Sequence, residues 1–172
     1  MGDAHLRLRP VREDDEMAAV AAHEAMKPDG FHFLLGYSPG EPWRTFVDRL
    51  AEQRRGENLP PGRVPAIFLL ALVGPDLVGR ASVRLELNDY LTLAGGHIGY
   101  GVLPQFRRRG YATEILWQSL IVARASAVDS VLVTCDEKNV GSAEVIERCG
   151  GVFEGVVDDP VEGVRKRRYW IR

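Results

Sequence analysis

The spacing of apolar residues predicts alternating strands and helices along the chain. Period-two alternation or a short apolar run indicates a strand, and apolar residues three and four apart indicate a helix. Strands are predicted at residues 5–9, 65–73, 77–87, 97–103, 131–135, 152–157 and 164–171. Helices are predicted at residues 14–26, 41–56, 113–127 and 139–149. Because no internal repeat or long linker interrupts this order, it predicts one mixed α/β domain over residues 1–172.

Residue types at the ends of these segments support their boundaries. Asp14 or Asp15 can cap the first helix, Pro42 can begin the second, and Asn139 can cap the last. Residues 65–73 are almost continuously apolar, which is typical of a strand buried on both faces. The short apolar strand at residues 131–135 is expected to be of the same buried, parallel type.

Two glycines interrupt the strand predicted at residues 97–103. Gly99 and Gly101 remove side chains from a segment whose other members are mostly apolar or aromatic. A glycine inside a strand often marks a bulge, or a place where a ligand approaches the backbone closely. This strand is therefore expected to be irregular or to border a ligand.

A basic turn follows that strand and leads into the third predicted helix. It runs Gln-Phe-Arg-Arg-Arg-Gly-Tyr-Ala-Thr over residues 105–113. Backbone N–H groups and the positive end of a helix dipole converge at such a place, which favours a phosphate or pyrophosphate. It is neither a nucleotide P-loop nor a dinucleotide fingerprint, because the Gly-Lys-Ser/Thr and two of the three glycines are missing. The alternative is a solvated basic loop.

Composition narrows the classes of function. The 172 residues are 45% hydrophobic and 27% charged, an ordinary balance for a domain with a sizeable core. The 22 Lys and Arg residues against 24 Asp and Glu give a net charge of −2, so no nucleic-acid partner is expected. The basic residues cluster locally, at residues 107–109 and 165–168.

Cysteines, histidines and hydropathy predict neither a metal site nor a membrane segment. Cys135 and Cys149 lack the spacing of a disulfide framework, and the four histidines are scattered. The N-terminus has no apolar signal core, and no apolar run is long enough to cross a bilayer. We therefore expect a protein of the reducing cytoplasm.

The order of elements, taken with the basic turn, resembles the GNAT acetyltransferase superfamily. The pyrophosphate motif of that family, Gln/Arg-x-x-Gly-x-Gly/Ala, matches Arg-Arg-Arg-Gly-Tyr-Ala at residues 107–112. Asn139 and Ser142 match the start of its second cofactor-binding helix. The resemblance implies a central mixed, mostly antiparallel sheet of six to seven strands. About four helices would flank it, and it would be splayed between strands four and five.

A narrower resemblance is to a group of bacterial predicted acetyltransferases whose acceptor is unknown. The stretches that carry it are residues 87–91, 95–100, 133–136 and 168–171. It adds no acceptor, so a primary amine of a small molecule, a peptide or a protein is all that the family implies. A homodimer is also compatible with this family.

The resemblance implies acetyl-coenzyme A as cosubstrate and assigns residues to it. The turn and the following helix start would bind the pyrophosphate, and the strand before it would pair with the pantetheine arm. The residues so implied are Tyr100, Val102, Arg107, Arg108, Arg109, Gly110, Tyr111, Ala112, Thr113, Asn139 and Ser142.

The implied reaction needs a group that takes a proton from the amine and a group that assists the leaving thiolate. His97 is the first candidate base, because an unperturbed histidine has a pKa of about 6.5. Asp136 is the second and Glu86 the third. Many family members carry a tyrosine acid in the second cofactor helix, and here it is absent. Ser142, Tyr169 or solvent would take its place, with Ser142 preferred.

Other interpretations stay open at this point. His97 can be a structural strand residue, Asn139 a helix cap alone, and Cys135 a small buried hydrophobe. The chain can also be a non-catalytic module that senses acyl-CoA, for which the missing tyrosine is the only support. A binder of nucleotide phosphate or of nucleic acid is supported by the basic clusters alone.

Overall fold

The computed structural model describes residues 5–172, so residues 1–4 of the predicted domain lie outside the described part. Its strands are β1 (Leu6–Pro10), β2 (Ala66–Val73), β3 (Asp76–Arg84), β4 (Ile98–Val102), β5 (Val131–Asp136), β6 (Val152–Asp158) and β7 (Arg165–Ile171). Its α-helices are α1 (Glu16–Met26), α2 (Trp43–Arg55), α3 (Tyr111–Ala125) and α4 (Val140–Arg148). This order confirms the predicted mixed α/β succession.

The strands form two ladders instead of one continuous sheet. The first has the order β1-β2-β3-β4 and the second the order β5-β7-β6. Every pairing in both ladders is antiparallel. The expectation of a parallel-type strand at β5 is therefore wrong for its ladder, because β5 pairs with β7 in antiparallel register. The break between β4 and β5 is the splay that the family resemblance implied.

The two ladders touch where β4 and β5 begin. The His97 N–H donates to the Leu132 carbonyl at 2.7 Å, and the Leu132 N–H donates to His97 Nδ1 at 2.9 Å. Gly96 precedes this contact with φ of 67°, and a Cβ there would lie 2.7 Å from the Leu132 oxygen. A side chain on residue 96 would thus push the two strands apart at their only ladder-like contact within residues 5–172.

Helices cover both faces of the sheet. α1 and α2 pack on the first ladder through a core of Phe33, Phe46, Phe68 and Leu70. On the opposite face the core contains residues of α3, α4 and both ladders, namely Ile98, Leu116, Leu120, Val133, Ile146 and Tyr169. The opening between β4 and β5 is therefore bordered by helices on each side of the sheet.

Several boundaries differ from the predicted ones for local reasons. α3 begins two residues earlier than expected, because Gly110 takes a left-handed conformation and ends the preceding turn. It also ends earlier, since Ala127 has φ of 63° and cannot continue a helix. Asp15 does not cap α1 with its side chain. Its carboxylate instead accepts hydrogen bonds from the Arg9 guanidinium and the Arg12 N–H.

The strand with two glycines pairs regularly with β3, so a bulge, the first of the two predicted alternatives, is wrong. The other alternative, a close approach by a ligand, stays a prediction. β3 and β4 keep a continuous register from Gly79–Val102 to Val83–Ile98. A Cβ on Gly101 would lie 2.5 Å from the Phe31 ring. Gly101 therefore makes room for an aromatic side chain from the segment between α1 and α2.

We predict that Gly96→Ala destabilises the protein more than Gly150→Ala does. Both glycines have positive φ, a conformation that costs an alanine about 1–2 kcal/mol. Only Gly96 also faces a backbone atom, whereas a Cβ on Gly150 would meet nothing within 4 Å. We expect Gly96→Ala to lose at least about 1 kcal/mol more, the net worth of one hydrogen bond. Urea unfolding measures both values, and equal losses would contradict the crowding argument.

Candidate active site

The free edge of β4 faces the opening between the two ladders. The Arg84 N–H donates to the His97 carbonyl, and the Leu103 N–H donates to the Val78 carbonyl. Because hydrogen-bonded positions alternate along an antiparallel ladder, the backbone groups of Tyr100 point away from β3. Those groups form no hydrogen bond with β5 and remain available to an extended ligand.

The turn before α3 presents a series of unused donors. Arg108 has φ of 63° and Gly110 has φ of 82°, so the backbone reverses just before the helix starts. None of the backbone N–H groups of residues 108–113 donates a hydrogen bond to another described residue. The positive end of the α3 dipole adds to these donors, which together favour an anion such as pyrophosphate.

The three arginines of this turn have different surroundings. Arg107 donates from Nε to the Val102 carbonyl and from Nη2 to the Asp29 carboxylate at 2.6 Å. Its side chain therefore ties the turn to β4 and to the end of α1. Arg109 donates to the Gln105 carbonyl and stacks on Phe106. Arg108 is exposed and forms no hydrogen bond or ion pair with the described residues.

Two hydroxyl groups meet near the start of α4. Asn139 caps this helix, since its Oδ1 accepts a hydrogen bond from the Ser142 N–H at 3.1 Å. The Tyr100 hydroxyl comes from β4, is buried, and has no hydrogen-bond partner among the described residues. Burial raises its pKa, and the nearby Ser142 hydroxyl opposes that shift only in part. A buried hydroxyl without a partner is uncommon, and a bound ligand group or an ordered water beside it would supply the missing hydrogen bond.

His97 is buried, with 7% of its surface exposed, and its Nδ1 is occupied by the Leu132 N–H. A neutral imidazole that accepts at Nδ1 carries its proton on Nε2, so its lone pair is not available to an amine. Burial, and then the charge of Arg84, hold its pKa below the ordinary histidine value. The geometry therefore favours the structural interpretation of His97 over its candidacy as general base.

The remaining candidates for proton transfer are engaged elsewhere or exposed. The Asp136 carboxylate accepts a hydrogen bond from Lys166 Nζ at 2.6 Å. The Tyr169 hydroxyl, on a fully buried side chain, donates to Glu147. Glu86 is exposed and forms no ion pair with residues 5–172. None of the three forms a hydrogen bond with the Tyr100 or Ser142 hydroxyl.

Both cysteines behave as packing residues. Burial raises the pKa of the Cys135 thiol to about 11, and burial also raises that of Cys149. Both lie in the core that α4 shares with the sheet. A thiol with a raised pKa is a poor nucleophile at neutral pH, which agrees with the interpretation of Cys135 as a small hydrophobe.

A polar cluster on the opposite face of the sheet was not predicted from the sequence. Arg80 and Arg84 of β3 project toward the face covered by α1 and α2, and Arg84 lines a cavity of about 190 Å³ there. The alternation of Ser82, Arg84 and Glu86 indicated a polar face, which is typical of solvent exposure. That alternation could not indicate that helices cover this face, bury Arg80 and half-bury Arg84.

Neither a metal cluster nor a membrane helix is found in the described part of the chain. Residues 5–172 contain no group of three or more His, Cys, Asp or Glu side chains placed to hold a metal ion. No helix within the same residues has the length and apolar character needed to cross a bilayer.

Comparison with known proteins identifies the family. The sequence model described as "Acetyltransferase (GNAT) domain" matches residues 5–152. The chain belongs to the GNAT acetyltransferase family. This confirms both the resemblance and the prediction of an acetyltransferase. A search of curated proteins by sequence found no match.

Solved GNAT structures confirm the fold. RimJ of Mycobacterium smegmatis in complex with CoA-disulfide has a TM-score of 0.70 at 20% identity, over 96% of this chain and 81% of that chain. Ribosomal-protein-S5-alanine acetyltransferase of Vibrio fischeri has a TM-score of 0.71 at 15% identity, over 99% and 94%. Spermidine N-acetyltransferase of Vibrio cholerae, in complex with CoA and spermine, has a TM-score of 0.66 at 16% identity, over 96% and 93%.

We predict that His97→Ala destabilises the protein by roughly 1–3 kcal/mol, because it leaves the buried Leu132 N–H without an acceptor. His97→Asn should lose less, since the asparagine Oδ1 can take the place of Nδ1. Urea unfolding at pH 7.5 compares the two variants. Equal losses would show that the hydrogen bond to Leu132 contributes nothing.

The same pair of variants tests the pH dependence. A depressed folded pKa means that the unfolded chain binds the proton first as the pH falls. Wild-type stability should therefore decrease below about pH 6.5, the unperturbed histidine pKa. His97→Asn should decrease less between pH 7.5 and 5.5. The variant still loses the part of the stability that depends on His23, because the pKa of His23 is also lowered by burial and by Lys27. Identical slopes would contradict the assignment to His97.

Proposed function

We propose that this GNAT protein transfers the acetyl group of acetyl-coenzyme A to a primary amine. The observation that carries the proposal is the row of unused N–H donors at residues 108–113, at the mouth of the opening between β4 and β5. A diphosphate with its attached arm matches this arrangement of an anion site followed by an unpaired strand edge.

The residues present fit coenzyme A. Residues 108–113 would bind the pyrophosphate through their backbone, with Arg108 and Arg109 supplying charge. Arg107 would hold the turn in place, because its guanidinium is already paired with Asp29. The unpaired backbone of Tyr100 and the residues beside it would hold the pantetheine amides. Asn139 would orient the start of α4 beside the arm.

Bound acetyl-coenzyme A supplies an activated acyl group. The amine nitrogen forms a bond to the carbonyl carbon and the C–S bond breaks. Overall, the amine gives up one proton and the released sulfur gains one, so the products are an amide and a thiol. The chain supplies a proton source for that sulfur. The Tyr100 hydroxyl has no hydrogen-bond partner among residues 5–172 and lies near Ser142. A relay of a proton through both hydroxyls would therefore require them to close to hydrogen-bond distance when coenzyme A is bound. Tyr100 on β4 would then take the part of the tyrosine that is missing from α4.

Within residues 5–172, no side-chain base forms a hydrogen bond with either hydroxyl. His97 is hydrogen-bonded through its lone pair, and Asp136 is paired with Lys166. We infer that the amine loses its proton to solvent. Asp136 remains the second candidate base.

The acceptor, the cellular location and the oligomeric state are proposals. Ribosomal-protein and spermidine acetyltransferases both occur among structures with this fold, so the fold alone does not select the acceptor. A cytoplasmic location and a homodimer are likewise proposals, which cell fractionation and light scattering would test.

The first test is stabilisation by acetyl-coenzyme A in thermal unfolding. A ligand at 100 times its dissociation constant should stabilise the fold by about 2.7 kcal/mol. Gly110→Val should weaken this effect at least about tenfold in affinity, because the turn needs the left-handed conformation to present its N–H groups. Gly163→Val is the matched control, since Gly163 also has positive φ and open surroundings but lies between β6 and β7.

Release of thiol in the presence of an amine panel then distinguishes an enzyme from an acyl-CoA sensor. Stabilisation by acetyl-coenzyme A without thiol release from any amine would support the sensor. No stabilisation by acetyl-coenzyme A, with stabilisation by ATP or RNA, would refute both.

The second test removes the two hydroxyls. Tyr100→Phe should reduce kcat by about 10²-fold, the low end for loss of a general acid. It should leave the free energy of unfolding unchanged or increased, because it removes a buried hydroxyl without a partner. Ser142→Ala should reduce kcat similarly. If the hydroxyls act as a unit, the double variant loses little beyond the larger single effect. An unchanged kcat in Tyr100→Phe would exclude the relay.

A further inference from the structure

The buried Arg80 and the half-buried Arg84, both on β3, have no anionic partner within residues 5–172. Arg80 is 4% exposed, and its guanidinium donates to the carbonyls of His32, Phe33 and Gly99. Arg84 donates from Nη1 to the carbonyls of Gly95 and Gly96. No carboxylate within residues 5–172 lies within 4.0 Å of either side chain, whereas the partly buried Arg9 is paired with Asp15.

The pKa of each of these two arginines is lowered. Burial, followed by the charge of Arg84, lowers the pKa of Arg80 to about 9. Burial also lowers the pKa of Arg84, with Arg63 adding to that effect. Both remain protonated at neutral pH. A buried cation is ordinarily paired with an anion. Arg80, with the half-buried Arg84 beside it, therefore leaves a positive charge on this strand that no carboxylate of the described residues compensates.

A cavity of about 190 Å³ opens directly onto Arg84. Its polar lining includes Ser82, Arg63 and Tyr90, and its apolar lining includes Leu35, Phe68 and Leu91. No carboxylate side chain lines it. The nearby Asp159 accepts a hydrogen bond from the Tyr90 hydroxyl and is not part of the lining. The cavity is smaller than the roughly 300–1,000 Å³ of pockets for drug-sized ligands, so it suits a small metabolite.

The cavity lies beside the strand that borders the opening. Ser82 in its lining pairs with Gly99 of β4. A Cβ on Gly99 would lie 3.5 Å from Arg80 Nη1 and 3.7 Å from Arg84 Nη2. The absence of a side chain at this position therefore leaves space between the two guanidinium groups, next to β4. A small molecule in the cavity would be one strand away from the free edge of β4.

We propose that this cavity is the acceptor site and that the acceptor is a small amine carrying a carboxylate, of the α-amino-acid type with an apolar side chain. The inference depends on the proposed acetyl transfer. Nε and Nη2 of Arg84 form no hydrogen bond within residues 5–172 and would bind the carboxylate, because a guanidinium matches the geometry of two oxygens. Leu35, Phe68 and Leu91 would contact the side chain. A polyamine is disfavoured by the like charges of Arg63 and Arg84.

The experiment compares matched amines at saturating acetyl-coenzyme A. Leucine, leucinamide and 3-methylbutylamine differ only in the group that would contact Arg84, and O-phosphoethanolamine presents a phosphate instead. We expect kcat/KM for leucine to exceed that for leucinamide at least about tenfold, the effect of losing one charged hydrogen bond. Phosphoethanolamine acetylated better than leucine would overturn the carboxylate in favour of a phosphate.

Variants attribute the preference to the cavity. Arg84→Gln should bring the ratio of leucine to leucinamide close to one, and Arg63→Gln should reduce it. Because Arg63 is exposed and its side chain forms no hydrogen bond with the described residues, its variant keeps the test valid if Arg84→Gln fails to fold. Arg54→Gln is the matched control, since Arg54 is exposed near the end of α2 and outside the cavity. It should leave the ratio unchanged.

Thermal unfolding with leucine alone separates this inference from the proposed function. Stabilisation of the wild type by leucine but not leucinamide, absent in the arginine variants, supports the carboxylate site even if no amine is acetylated. If all three matched amines are acetylated with equal kcat/KM, the proposed acetyl transfer is supported and the carboxylate site is overturned. A preference for leucinamide, as expected for a peptide N-terminus, overturns it as well.

Discussion

The contact between His97 and Leu132 is the constraint on which the rest of this structure depends. Its two hydrogen bonds hold the first ladder against the second at one place, and Gly96 provides the close approach that they need. Beyond this contact β4 and β5 share no ladder. The free edge of β4, the position of α4 and the burial of Tyr100 all follow from that separation.

β4 has a different chemical environment on each of its faces. Tyr100 packs toward α4, where its unpartnered hydroxyl lies beside Ser142. Gly99 and Gly101 face the other side, where they make room for Arg80, Arg84 and Phe31. The alternation of side chains along a strand therefore separates a proposed cosubstrate side from a proposed acceptor side by the thickness of one backbone. Acetyl transfer across this strand would need little movement of either ligand.

Much of the fold followed from local sequence signals. The element order, the Asn139 cap and the turn at Gly110 were predictable because propensity, capping and glycine conformation act within a few residues. Contacts between distant segments were not. Arg107 belongs to the basic turn, yet its side chain is paired with Asp29, which lies 78 residues away in sequence. The same limitation affects His97, whose suitability as a base depended on whether its lone pair was occupied by another strand.

The sequence by itself determined the succession of strands and helices, the basic turn before α3 and membership of the GNAT family, because these depend on periodicity and on short motifs. Only the tertiary structure decided that the Ser82, Arg84 and Glu86 face is partly covered and that His97 joins two ladders. It also decided that the Tyr100 hydroxyl is buried without a hydrogen-bond partner among residues 5–172. Each of these depends on which distant segment packs against the residue. Burial turns a common polar side chain into a group that needs a partner, and burial is a property of the assembled layers.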